Sequence, residues 1–173
     1  VALAEIEATI SSRNEGRLEV RGLHWTQKGR VRFVKEGTFA KEYCARVEVD
    51  RRPDEETVAS LIGRRYEVAQ QTPSRVAHRR ADKVRERWIE VLDVQLDPEE
   101  ELFLDVTIRT QAGTYVKEAI SGEGGMSKPS IGELLEVGSA RCASLDVLAI
   151  LDDVEEEAAE PKPTSPSFGS GLS

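Results

Sequence analysis

The segment RTQAGTYVKEAI (109–120) ends an alternating apolar run with a small turn and then sets Tyr115 two places before Lys117. An aromatic ring beside a primary ammonium has chemical uses. The ring face can carry a planar base, and the ammonium can hold a carboxylate ionised where water is scarce. The chain has 24 Lys+Arg against 32 Asp+Glu, so a cation among apolar neighbours calls for an anionic partner. The plainer alternative is also open: Tyr115 and Val116 suit a core, and Lys117 can run its stem along apolar surface and reach water. Tyr43, in KEYCARVEV, poses the same choice between core packing and a ring offered to a ligand.

A second cluster is basic. TPSRVAHRRADKVRERW (72–88) carries Arg75, Arg79, Arg80, Lys83, Arg85 and Arg87 against Asp82 and Glu86, a net +4 within residues 75–87 of a chain whose net charge is −8. Phosphate binding uses such a cluster, because each neutralised phosphate releases condensed counterions. Arginine adds a planar fork and a stacking surface. His78 lies within reach of the same ligand. The competing reading is a solvated face paired with the many acids. SGEGGMSKPS (121–130) is glycine-rich but lacks the G-x-x-x-x-G-K-[ST] spacing of a phosphate loop, and reads as a surface loop.

Composition bounds the rest. At 173 residues and 39% hydrophobic content the chain suits one domain or slightly more. No apolar stretch approaches a membrane span. Cys44 and Cys142 are far apart and form no C-x-x-C; they read as reduced thiols of a cytoplasmic protein. With two histidines in all, no metal-ligand cluster can be assembled. The acidity fits a chain kept soluble in a salt-rich cytoplasm.

The elements that must position these residues follow from periodicity. Residues 3–12 read as the end of an amphipathic helix. RLEVRGL (17–23), RVRFV (30–34), EYCARVEVD (42–50), RYEVAQ (65–70), WIEVLDVQL (88–96), ELFLDVTIRT (101–110) and CASLDVLAI (142–150) read as strands. Tyr43, Ala45, Val47 and Val49 share one face; so do Leu102, Leu104, Val106 and Ile108. A helix opens at Asp54, carries Val58, Leu61 and Ile62, and stops at Gly63. A second is capped by Thr114 and runs to about Ser121. A third has Pro129 in its first turn and carries Ile131, Leu134 and Leu135. The fold class is α+β, a mainly antiparallel mixed sheet with flanking helices. Residues 1–151 form the folded part; 152–173, acidic and then rich in Pro, Ser and Gly, are expected to be a disordered tail.

Taken in order, KEYCARVEV, QQTPSRVAHRRADKVRER, RTQAGTYVKE and SKPSIGELL with ASLDVLAI resemble the archaeal/eukaryal tRNA pseudouridine synthases that act on neighbouring uridines of the TΨC arm. The resemblance covers about residues 1–150, and its two specific parts are TPSRVAHRRAD and QAGTYVKE. That family uses an aspartate nucleophile in a G-R-E-D-x-D-V-R type motif, which this sequence lacks. The resemblance therefore implies the C-terminal part of a pseudouridine synthase catalytic domain, with the nucleophile upstream and the chain inactive by itself.

The resemblance also implies residue roles. Lys117 positions the upstream aspartate. Tyr115 lines the uridine site, and Tyr43 stacks on the flipped base and can pass a proton. Leu135, or Leu134, supplies an apolar floor. Arg75, His78, Arg79, Arg80, Lys83 and Arg85 grip the tRNA as a loop and helix. No metal or organic cofactor is implied, and a cytoplasmic monomer is expected. A non-catalytic RNA-binding module of the same fold is the alternative, and an acidic interaction domain without RNA a more distant one.

Overall fold

Strict apolar alternation needs a ladder of neighbours to become a strand, and the chain supplies that ladder only after residue 37. A computed structural model of the chain describes residues 2–152. Residues 1–37 and those from 38 onward form two separate units.

The first unit holds two helices, α1 (Leu3–Arg13) and α2 (Lys28–Glu36), neither with a buried residue. The strand expected at 17–23 is irregular chain, and the one expected at 30–34 is the middle of α2. Helical spacing wins in α2: Arg30 lies over the Phe33 ring at 4.7 Å, three residues on, and Arg32 pairs with Glu36 at 2.9 Å, four residues on. The peptide N–H of Leu23 donates to the Glu7 carboxylate, so the irregular stretch is tied back to α1.

The second unit is the α+β fold expected. Its strands are β1 (Ala40–Val49), β2 (Arg65–Gln70), β3 (Arg85–Leu96), β4 (Phe103–Thr110), the two-residue β5 (Ser127–Lys128) and β6 (Ala140–Leu151). They form one six-stranded sheet in the order β5-β2-β3-β4-β1-β6, with every pair antiparallel. Register places Tyr43 opposite Ile108, and Ile108 opposite Val91. One face thus collects Ala45, Val47, Leu104, Val106, Ile108, Ile89, Val91 and Val68, all buried. Three short helices contribute to the same core: α3 (Glu55–Leu61) with Val58 and Leu61, α4 (Val116–Ser121) with Val116, Ala119 and Ile120, and α5 (Ile131–Leu134) with Ile131. Each fully buried aliphatic side chain contributes roughly 1.5–3 kcal/mol.

Several local expectations change. Leu102 and Ile62 lie outside their elements and are exposed. Thr114 does not cap α4; its hydroxyl donates to the Gln111 carbonyl at 2.7 Å and closes the turn, so Tyr115 takes the cap position. In α5 the cap is Ser130, which accepts from the Glu133 N–H while the Glu133 carboxylate accepts from the Ser130 N–H. The segment 121–130, expected as a loop, contains the short strand β5. Cys44 and Cys142 are free thiols. No described helix is long and apolar enough to cross a membrane. Of the expected tail, residues 153–173 lie outside the described residues.

The other face of the sheet is a lattice of charge. Register sets Arg65, Glu90, Arg109 and Glu42 side by side on four successive strands, with contacts of 3.1, 3.8 and 2.7 Å. Opposite charges at cross-strand positions stabilise a sheet, and here the signs alternate across its width. Arg46 gathers Asp97, Glu100 and Asp105 at the β3–β4 turn. Asp97 accepts from the N–H groups of Glu100 and Glu99, both at 2.8 Å, and these, with Arg46, hold its carboxyl at about 2. A carboxylate held below its ordinary range stabilises the fold above that range, and the contribution is lost as pH falls towards the lowered value. Asp97→Ala is therefore expected to lower the melting temperature at neutral pH, with the gap to wild type closing between about pH 4 and 2. A gap constant over that interval would contradict this.

Candidate functional site

The core face of the sheet changes character at the end where β2 stops and β3 starts. There the inward positions are Gln70, Arg85 and Arg87 in place of aliphatic residues, and the chain between β2 and β3 is held at its base by Thr72. Thr72 is buried; its hydroxyl donates to the Ala81 carbonyl at 2.7 Å and accepts from Arg85 at 2.9 Å. The loop opens with a 3-10 turn (Ser74–Val76) that buries Val76 and carries Arg75.

Beside this turn the 111–114 bend delivers α4. Gly113 sits at φ +79°, a conformation that disfavours a side chain. A Cβ added there would lie 3.6 Å from the Arg87 guanidinium. The bend aims Tyr115 and Lys117 into a cleft of about 290 Å³ lined by Tyr43, Arg75, Thr114, Tyr115, Val116, Lys117 and Leu145. Two phenol rings and two cations from three separate stretches of sequence thus share one concavity.

Its charges are distributed unequally. Glu118, almost fully buried, accepts from Arg75 at 2.5 and 3.2 Å in a two-pronged pair. This bond raises the Arg75 pKa above its already high ordinary value. The Arg75 guanidinium lies 5.7 Å from the centre of the Tyr115 ring, so the pair also fixes a cation against an aromatic wall. Burial pushes the Tyr43 phenol up, keeping it a neutral O–H donor at physiological pH. Burial likewise raises the Cys142 thiol, an effect opposed by the nearby Lys117 charge.

Lys117 is placed differently from Arg75. It lies on the first turn of α4 and lines the cleft, but it is exposed, and among the described residues no carboxylate pairs with it. The anion taken by α4 comes from the next residue, Glu118, and goes to Arg75.

The remaining candidates divide. Arg75 belongs to the cleft. His78, Arg79, Arg80 and Lys83 are exposed on the loop beyond it. The expected loop and helix is a 3-10 turn and irregular chain, because Thr72 and Arg85 close the segment with side-chain bonds at its base. Arg85 donates to Thr72 and to the Lys83 carbonyl, so its fork holds the loop. Leu135 is 1% exposed and part of the core, and it is not among the residues that line the cleft. The apolar wall there is Leu145 on β6, whose inward place opposite Ala45 follows from register rather than from α5. Gln70 and Glu118 were not among the candidates. For Gln70 a signal existed: the period-2 pattern of Tyr66 and Val68 carries it to the inward face.

The family model described as Pus10, C-terminal matches residues 1–151. Three proteins named tRNA pseudouridine synthase Pus10 are similar. That of Methanothrix thermoacetophila is 40% identical over 82% of this chain and 31% of its own length. That of Archaeoglobus fulgidus is 36% identical over 87% and 41%. That of Halorubrum lacusprofundi is 37% identical over 84% and 34%. A chain of a solved Cbf5-Nop10-Gar1 complex aligns with 64% of this one, over 30% of its own length, at 22% identity and a TM-score of 0.42. The chain spans about a third of the length of the curated relatives it matches. With a family match running from the first residue to the end of β6, the chain belongs to the Pus10 C-terminal family.

Proposed function

We propose that the full-length protein is a tRNA pseudouridine synthase and that this chain supplies the nucleobase half of its active site. The single observation that carries the reading is the meeting of Tyr43, Tyr115, Arg75 and Lys117 around one cleft. The reaction isomerises uridine: the N1–C1′ glycosidic bond breaks, the base turns, a C5–C1′ bond forms, and the proton lost from C5 is balanced by one gained at N1. No electrons are exchanged.

The cleft suits this chemistry. A uridine taken out of its helical stack loses contact on both faces, and aromatic rings restore part of it. An aspartate carried by the upstream segment would enter beside Lys117, whose ammonium opposes the pKa rise that desolvation imposes on a carboxylate and fixes its direction. The exposure of Lys117 in this chain fits a group whose partner comes from another segment. The neutral Tyr43 phenol is a proton donor at the base.

The substrate of this reading is the T-arm of tRNA, at one or both of its neighbouring uridines. His78, Arg79, Arg80 and Lys83, on the loop next to the cleft, hold its phosphates. The enzyme acts as a monomer in the cytoplasm and needs neither metal nor organic cofactor. Arg79→Ala with Arg80→Ala is expected to weaken tRNA binding by the full-length protein and to lower the dependence of log affinity on log salt by about 2. An unchanged salt slope would remove these two arginines from the interface.

The test of the reading is direct: tRNA transcripts treated with the full-length protein gain pseudouridine in the T-arm, and those treated with this chain alone do not. Turnover by the chain alone would place the nucleophile within it. Tight tRNA binding without any pseudouridine would favour the RNA-binding module.

A further inference from the structure

One buried polar side chain, Gln70, grips the backbone of Tyr115 at two points. Gln70, at the end of β2, is 1% exposed. Its Nε2 donates to the Tyr115 carbonyl at 3.0 Å and to the Ser127 hydroxyl at 2.8 Å, and its Oε1 accepts from the Tyr115 N–H at 3.0 Å. Both peptide groups of Tyr115 are therefore held by one carboxamide. The donors and acceptors fix the amide's orientation, since the flipped form would set N–H against N–H and oxygen against oxygen.

Tyr115 is the cap of α4, and its carbonyl also accepts from Ala119 N–H at 2.9 Å, the first bond of the helix. Gln70 thus sets where α4 begins, and through it the direction of Tyr115, Lys117 and Glu118. Its second bond, to the buried Ser127 of β5, fixes the carboxamide from the far side.

We propose that Gln70 is a positioning residue of the reaction: a two-point clamp on the Tyr115 backbone that holds the ring and the Lys117 ammonium in register with the target uridine. It touches neither substrate nor nucleophile. The proposal rests on the functional reading of the cleft given above.

The test uses the full-length protein and tRNA, with kcat and KM measured from pH 6 to 9. Gln70→Ala is expected to lower kcat by about 10–100-fold, the effect of a small misplacement of reacting groups. KM for tRNA is expected to stay within about threefold, because the residue is buried and makes no RNA contact.

Gln70→Glu, the isosteric variant, gives the sharper readout. As a neutral acid it keeps one donor and the acceptor for the Tyr115 N–H; as a carboxylate it loses every donor and repels the Tyr115 carbonyl. Burial raises such a carboxyl's pKa, so its kcat relative to wild type is expected to be near unity at pH 6 and to fall by about tenfold or more as the acid ionises. The charged groups on the elements packed against it are Arg85, opposite it on β3, Arg87 two residues further along the same inward face, and Glu118 with Arg75 at α4; the two β3 arginines oppose the rise that burial imposes. They are common to both proteins, so the ratio isolates the new carboxyl.

A Gln70→Glu profile parallel to wild type, or a Gln70→Ala loss confined to KM, overturns the clamp. Should the alanine variant fail to fold, as judged by its melting curve, the glutamate profile decides. An inactive wild type overturns the reading of the cleft and the clamp with it, whereas an active wild type with unmoved Gln70 variants sinks the clamp alone.

Discussion

Lys117→Met in the full-length protein is expected to leave the melting temperature almost unchanged and to lower pseudouridine formation by about 10²–10³-fold, the range for removal of one preorganised charged or hydrogen-bonding group. The two halves of this expectation come from one observation. Lys117 is exposed and unpaired among the described residues, so the fold loses little when its charge goes. On the proposed reading the same ammonium faces the nucleophile's carboxylate in a drier setting, where one charge contact is worth far more than at an open surface. Met keeps the stem and removes only the charge. The loss belongs in kcat, and Lys117→Arg is expected to recover part of it by restoring the cation. Initial rates of tRNA modification beside a thermal melt check both. A Lys117→Met enzyme of normal activity would remove the residue from the mechanism.

Tyr43→Ala has the second largest expected effect, a loss of roughly 10–100-fold in kcat/KM, corresponding to the ~1–3 kcal/mol that stacking one base on an aromatic ring contributes. The ring is half-buried and packs against the core, so this variant also lowers stability and must be assayed well below its melting point. Tyr43→Phe separates stacking from proton transfer: it keeps the ring and removes the O–H. Burial holds the Tyr43 pKa above its usual value, so the contribution of the phenol proton is expected to be flat from pH 6 to 9. If Tyr43→Phe and Tyr43→Ala lose equally, the hydroxyl and not the ring face carries the function. If neither loses activity, the tyrosine is core alone.

The parts of the fold legible in the sequence are those decided by local periodicity with a partner at hand. RYEVAQ and the apolar faces of 42–50 and 103–110 alternate cleanly, and each finds an antiparallel neighbour. RVRFV alternates as well, yet among the described residues it joins no strand ladder, and the Arg30–Phe33 and Arg32–Glu36 contacts draw it into a helix. Pattern alone could not reveal which partner was missing.

Among the residues that line the cleft, Tyr115 and Lys117 are legible because they stand in one short segment, and Tyr43 because it falls on the inward face of a strand. What remained hidden was direction. A run of basic residues does not say which member turns inward; Arg75 does so because Glu118, 43 residues on, takes its guanidinium. The resemblance offers Leu135, or Leu134, as an apolar floor, whereas cross-strand register brings Leu145 to the cleft from β6. The row Arg65, Glu90, Arg109 and Glu42 exists only once four strands are in register, which no local window contains.

The most direct measurement is a crystal structure of the full-length protein with a T-arm RNA carrying 5-fluorouridine at the target position. The account predicts the halogenated ring between Tyr43 and Tyr115, with an upstream aspartate carboxylate in salt-bridge contact with the Lys117 ammonium. A target base bound elsewhere, or a nucleophile whose carboxylate sits away from a Lys117 still pointing into solvent, would contradict it.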